Sequence, residues 1–190
     1  MTSTVPPGRT VTAAFFTGVD GVIADPQDWH FPYLSPQLAA EVRQQTYGAA
    51  ALVLGRRTYE SWAEVWPKAP ASDPLAQHLN AIPKLVASRT LTEVDWQNST
   101  LLPGDAIETI AAMATEGGAP LAVAGSPTLV RGLLQAGVLT ELRLVVHPLV
   151  VGTGDRLFGE SDPVPLSLRD CQVHDNGVVV LVYTPRKDNS

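Results

Sequence analysis

Cysteine is nearly missing from this chain of 190 residues. Cys171 is the single one, so no internal disulfide and no thiolate-rich metal cluster can form. Histidine is sparse too. His30, His78, His147 and His174 are scattered, with no spacing that places two ligands on one helix face. No apolar run approaches the roughly 18 residues of a membrane span. The polar start, Met1 to Thr10, has no basic-then-apolar order of the kind that marks a signal peptide, so a cytoplasmic location is expected. Positive charge is also short. Thirteen Lys and Arg against nineteen Asp and Glu give a net charge of −6, and the arginines occur only in short pairs, which argues against a nucleic-acid partner.

What the chain does have is apolar material. Hydrophobic residues make up 45% and charged ones 17%, the latter below the roughly 25% of an average globular protein. A sizeable core is therefore expected within one domain spanning 1–190, its structured part running from about 11 to 184 and its ends, 1–10 and 185–190, dispensable. Val11 to Phe16 reads as a first strand, and Thr17 to Tyr33 as a long loop. Ser35-Pro36 opens a helix that Gly48 stops. A buried strand at Ala50 to Leu54 follows, then a strand at Lys84 to Ala87, a helix at Asp105 to Thr115, a strand at Leu121 to Ala124 and a helix at Pro127 to Gln135. This alternation predicts an α/β fold with a mostly parallel sheet and helices on both faces. Leu142 to Val151, Leu166 to His174 and Val178 to Tyr183 have no helix between them, and Asp175-Asn176-Gly177 reads as a hairpin turn. The sheet is thus expected to end antiparallel.

Three strand exits carry residues suited to a ligand. Gly55-Arg56-Arg57-Thr58 leaves a buried strand and opens a helix, offering close backbone approach, free N–H groups and two forked cations to an anion. Ser88-Arg89 ends another strand, where ligands of open α/β sheets collect. Three arginines and a serine suit a ribose 2′-phosphate better than a bare ribose, favouring NADPH over NADH. Gly125-Ser126-Pro127-Thr128-Leu129 runs from strand to helix, with Ser126 at the cap and free amides that suit a pyrophosphate. Solvated arginines and a well-capped helix are the structural alternatives. A nucleophile elbow does not fit, because Ala124 and Thr128 stand where glycines are required.

The ordered set Val19-Asp20-Gly21-Val22-Ile23-Ala24, Gly55-Arg56-Arg57-Thr58-Tyr59-Glu60-Ser61, Ser88-Arg89 and Gly125-Ser126-Pro127-Thr128-Leu129 resembles the dihydrofolate reductase superfamily. Asp20 to Pro26, together with the stretch from His147-Pro148 through Gly152-Thr153-Gly154 to Leu157-Phe158, is more similar to the branch containing the reductase domain of riboflavin biosynthesis. The resemblance runs from Val11 to Thr184. It implies a dihydrofolate-reductase-like three-layer fold that binds NADPH and transfers a hydride to a C=N or C=O bond of a small planar substrate. It places Ile23 and Ala24 along the nicotinamide, Arg56, Arg57 and Thr58 at the adenosine phosphates, and Ser88 and Arg89 at the 2′-phosphate. Gly125, Ser126, Thr128 and Leu129 would cradle the pyrophosphate, with Gly55 close to the cofactor.

Two departures stand out. The family shows a Gly-Gly pair where this chain has Gly125-Ser126, and the acidic residue that holds the pterin in true dihydrofolate reductases is replaced by Gln37, Leu38 and their neighbours. The proton donor or substrate anchor is sought among Asp20, Asp25, Asp28, His30, Glu41 and His147, with Asp20 first. Trp29, Phe31, Tyr33, Trp62 and Trp66 are candidates for an aromatic wall against a flat heterocycle. The alternative within this fold is a nucleotide-binding protein without catalysis. The apolar late strands, and the habit of the resembled domains, point to a homodimer.

Overall fold

The computed structural model describes residues 8–159 and 163–186. Its strands are β1 (Val11–Gly18), β2 (Ala51–Gly55), β3 (Lys84–Ala87), β4 (Ser99–Leu101), β5 (Leu121–Gly125), β6 (Glu141–His147), β7 (Leu166–Val173) and β8 (Val179–Pro185). Between them run helices α1 (Pro36–Tyr47), α2 (Arg56–Val65), α3 (Pro74–Ala81), α4 (Ala106–Thr115) and α5 (Pro127–Gln135). The strands form one sheet in the order β4-β3-β2-β5-β1-β6-β8-β7. From β4 to β6 all neighbours are parallel, while β8 pairs antiparallel with both β6 and β7.

The layering follows from the alternation of side chains along the central strands. Val11, Ala13, Val53, Leu121 and Val123 face one way and pack with Ile110 of α4 and Leu129, Val130 and Leu133 of α5. Leu52, Leu54 and Ala122 face the other way, against Tyr59 of α2 and Leu79 of α3. Leu38 of α1 covers Val145 and Val180 on that second face. Both faces are thus roofed by helices, as a parallel sheet of near-continuous apolar strands requires.

Some expectations needed correction. The strand expected at Leu142 to Val151 stops at His147, because Pro148 has no N–H to donate and Leu149 N–H turns back to His147 O. The first strand runs two residues further, to Gly18, through its full pairing with β6. Helix α3 and strand β4 were not expected from the sequence; both are short, at eight and three residues. Of the ends expected to be dispensable, 1–7 and 187–190 lie outside the described residues. Arg9, however, is tied down: its N–H donates to Ala114 O at 2.7 Å and its Nε to Gly117 O at 3.0 Å.

Among the buried polar residues Thr17 and Lys84 are hydrogen-bonded, whereas His30 Nδ1, His147 Nε2 and His174 Nε2 are buried without a partner among the described residues. Lys84, with no exposed surface, donates to the carbonyls of Leu79, Asn80 and Ile82 at the C-terminus of α3 and lies 4.3 Å from the Trp96 ring centre. Burial pushes its pKa down to about 8.

Candidate active site

A cleft of about 1470 Å³ opens at the carboxyl ends of β1, β2, β3 and β5, where ligands of open α/β sheets bind. The starts of α2, α4 and α5 all border it. Helix α2 starts from Gly55 and α5 from Ser126, and neither has a side chain capping its first N–H groups. By contrast α1, α3 and α4 are capped by Ser35, Asp73 and Asp105. The two uncapped helix starts therefore present unpaired donors and positive dipole ends to the same space. The expectation that Ser126 caps α5 is corrected here: it occupies the cap position, but its hydroxyl accepts nothing from the first turn.

The two starts lie against each other, and glycine allows it. A Cβ on Gly55 would fall 2.6 Å from Ser126 Oγ and 2.7 Å from its N. A Cβ on Gly125, whose φ is +133°, would meet Thr58 Oγ1 at 2.6 Å. Around them stand the cations. Arg56 is engaged, its Nη1 donating to Glu60 at 2.8 Å one turn along α2. Arg57 and Arg89 are exposed and form no ion pair among the described residues. Ser88 Oγ accepts from Thr90 and Leu91 N–H and so shapes the turn that carries Arg89.

The loop after β1 closes the opposite wall. Ile23 N–H donates to Asp155 O, Val22 bridges to Arg156, and Trp29 Nε1 donates to Ala24 O at 2.9 Å. These bonds fix Ile23 and Ala24 at the rim. All twelve positions singled out for cofactor binding, Ile23, Ala24, Gly55 to Thr58, Ser88, Arg89, Gly125, Ser126, Thr128 and Leu129, line this one cleft.

Asp20, the first candidate for catalysis, does not. Its Oδ2 accepts from Gly152 N–H at 2.8 Å, a bond that holds its carboxyl below the usual carboxylate range. It ties the loop to the 149–157 segment, as an aspartate in a turn often does. The other candidates scatter. Asp25 reaches the cleft mouth, Asp28 is exposed, and Glu41 faces His174 across 3.6 Å. His30 and His147 are buried side by side behind Phe16, where His30 stacks on that ring at 4.3 Å. Burial lowers the pKa of both imidazoles, and proximity to His147 lowers that of His30 further. The expected aromatic wall divides likewise: Trp62 and Trp66 line the cleft, Trp29 and Tyr33 surround His147, and Phe31 is exposed.

Sequence reading missed Phe16, Val42, Gln45, Asp105 and Arg131, all of which line the cleft. Arg131 had a signal, since it lies one helical turn after Thr128, to whose Oγ1 its Nη2 donates.

A family model for the RibD C-terminal domain matches residues 9–180. The chain belongs to the RibD C-terminal domain family. Among relatives of this member, Uncharacterized protein YyaP of Bacillus subtilis (strain 168) is 26% identical over 136 residues, covering 70% of this chain and 72% of the relative. A candidate riboflavin biosynthesis protein of Shewanella sp. PV-4 superposes with a TM-score of 0.75 at 22% identity, covering 94% of this chain and 99% of that one. Dihydrofolate reductase from Enterococcus faecalis, solved with NADP(H), superposes with a TM-score of 0.63 at 17% identity, covering 94% and 97%. The fold is that of the dihydrofolate reductases, in the branch that the RibD domain represents.

Proposed function

We propose that this RibD-family chain is an NADPH-dependent reductase that transfers a hydride to a C=N or C=O bond of a small planar substrate. The observation that carries the reading is the pair of uncapped helix starts, α2 and α5, meeting in one cleft beside Arg57 and Arg89, which form no ion pair among the described residues. Such an arrangement suits a ligand with several phosphates.

The residues present fit the cofactor. Thr58, Ser126, Thr128 and the first N–H groups of α2 and α5 would hold the pyrophosphate, with Arg57, Arg89 and Ser88 at the 2′-phosphate and Ile23, Ala24 and Leu129 toward the nicotinamide. NADPH supplies the hydride when bound. The protein's own part is orientation and exclusion of water by the apolar floor of Ala14, Phe15 and Phe16. No acid among the cleft-lining residues stands out as a dedicated proton donor, which leaves water or exposed Asp25 at the mouth to supply the proton. Self-association into a homodimer belongs to the same reading; β7 is an exposed edge strand bearing Leu168 and Val173.

The test is a titration of the purified protein with NADPH and with NADH, read by tryptophan fluorescence, followed by a screen of carbonyl and imine compounds for loss of nicotinamide absorbance. Micromolar binding that prefers NADPH, with turnover of one compound class, is expected. Binding of neither cofactor would overturn the reading, and tight binding without any turnover would indicate a nucleotide-binding protein that has given up catalysis.

A further inference from the structure

We propose that Arg131 couples the two ends of the cleft: an anion held at the start of α5 fixes, through Thr128 and Arg131, the wall on which Ile23 and Ala24 stand. The inference rests on the reductase reading above. It assigns Arg131 as a positioning residue, one that acts through other residues and not on the reacting atoms.

That wall is a unit made of two segments, 19–24 and 149–157, zipped to each other. Val19 N–H donates to Leu149 O and Ile23 N–H to Asp155 O, both at 2.9 Å. Gly152 N–H donates to Asp20 Oδ2 at 2.8 Å, Arg156 Nε to Asp20 O at 3.1 Å, and Leu157 N–H to Gly21 O at 3.4 Å. Gly154 permits the closest approach, since its φ is +125° and a Cβ there would fall 2.6 Å from Ala24 Cβ. With so many bonds between the two segments, whatever holds Leu157 also holds Ile23 and Ala24.

One hydrogen bond among the described residues joins this unit to α5. Arg131 Nη1 donates to Leu157 O at 3.2 Å, and Nη2 of the same guanidinium donates to Thr128 Oγ1 at 3.3 Å. Both bonds are long for a charged donor, whose usual range is about 2.7–2.9 Å. Both acceptors are neutral, and Arg131 has no acidic partner among the described residues. The fork is therefore loosely held. The Leu157 side chain meanwhile packs in the core with Leu129 and Leu133, so the segment keeps its place without the arginine.

Thr128 is where an anion enters the chain of bonds. It is exposed in the first turn of α5, whose leading N–H groups have no side-chain cap. Its Oγ1 accepts from Arg131, while its hydroxyl hydrogen has no acceptor among the described residues. Given an anion at that helix start, the hydroxyl donates to it and, polarised by it, accepts more strongly from Arg131. The guanidinium is then set between two acceptors, and Leu157 O with it. The rigid planar fork matters here, because a lysine ammonium on its flexible stem supplies the charge without spanning both acceptors in one geometry. Filling the phosphate end thus orders the Ile23–Ala24 wall in advance, which is cooperativity carried by lost motion.

The experiment is amide hydrogen exchange on wild type, Arg131→Lys and Thr128→Val, each free and saturated with 2′-phosphoadenosine 5′-diphosphate. This probe carries a 2′-phosphate and a pyrophosphate but neither the nicotinamide nor its ribose. Exchange is followed in 19–24 and 149–157, with β2 as the control. In wild type the probe should slow exchange in both segments by about tenfold. In both variants, at saturation, the ratio of free to bound rates should fall to within about twofold of unity. A merely structural Arg131 would change free and bound rates alike and keep their ratio. Wild type that binds the probe without slowing exchange, or an Arg131→Lys variant that keeps the tenfold ratio, would overturn the proposal while leaving the reductase reading in place. Failure of wild type to bind either the probe or NADPH would instead bring down that reading and the proposal with it.

Discussion

Removing the Arg57 guanidinium tests the cofactor site most directly, because its neighbour Arg56 provides an internal control. Arg56 is held by both oxygens of Glu60, at 3.1 and 2.8 Å, four residues along the same helix. Arg57 has no acidic partner among the described residues and lines the cleft beside Arg89. A hydrogen bond to a charged group contributes about 1.5–3 kcal/mol, and an exposed one lies near the lower end because solvent screens it. Arg57→Ala should therefore weaken NADPH binding about tenfold. NADH, which has no 2′-phosphate, should bind as before, so that the preference between the two falls by about the same factor. Arg56→Ala should cost clearly less, since its guanidinium must first leave Glu60. Raising the salt concentration should erode the NADPH preference of wild type more than that of the variant, which keeps Arg89 alone. Fluorescence titration of the three proteins with both cofactors, at two salt concentrations, measures all of this. Equal losses of NADPH and NADH affinity in Arg57→Ala, or a larger loss in Arg56→Ala, would refute the assignment of Arg57 to the 2′-phosphate.

Gly125→Ala should reduce cofactor affinity and lower stability by about 1–3 kcal/mol, because its backbone lies where side chains are strained and the new methyl would fall 2.6 Å from Thr58 Oγ1; chemical denaturation and NADPH titration check both effects. Lys84→Met should destabilise the fold by about 3 kcal/mol, since three carbonyls at the end of α3 lose their buried donor, and urea unfolding reads that loss directly. His30 and His147 are held neutral by burial, with folded pKa values below the ordinary histidine value. The unfolded chain therefore takes up protons first as pH falls below about 6.5, and stability declines from there until the folded pKa values are passed, by up to about 1.4 kcal/mol per pH unit for each imidazole. His30→Phe, which keeps the ring stack on Phe16, should remove one imidazole's share of that slope in denaturation curves taken across the window, leaving the shares of His147 and of His78, whose pKa burial also lowers.

How much of this was legible in the sequence depended on whether a residue acts through its own strand or helix or through a distant one. Lys84 to Ala87 and Pro127 to Gln135 were readable to the residue, because the first is a short apolar run and the second has a proline at its first turn and an apolar stripe. That Gly55, Ser88 and Gly125 with their neighbours share one cleft was likewise readable, since they follow strand exits and the parallel order brings those exits to one end of the sheet. Asp20 was misread because its partner, Gly152, lies 132 residues away, and no local pattern shows which backbone amide will claim a carboxylate. The same holds for Ser126, whose cap-like sequence hides a hydroxyl turned toward Gly55.

The misreading of Ser126 changes the chemistry expected of the site. A capped α5 would spend its first N–H groups internally; an uncapped one leaves them for a ligand, and α2, started by a glycine with no side chain to offer, does the same. Two helices that forgo a side-chain cap each give up a few tenths to about 1 kcal/mol of local stability, while α1 and α3 keep theirs and α4, whose start also borders the cleft, is capped by Asp105. Selection for stability alone would have capped all five. Restoring a cap therefore separates the two demands: Gly55→Asp should strip the cleft of a free helix start and add a negative charge where an anion is expected, so NADPH binding should be lost. The steric cost of the new Cβ against Ser126 is controlled by Gly55→Ala, which carries the same Cβ without the carboxylate. If the aspartate variant binds NADPH no worse than the alanine variant, the start of α2 does not face the cofactor's phosphates.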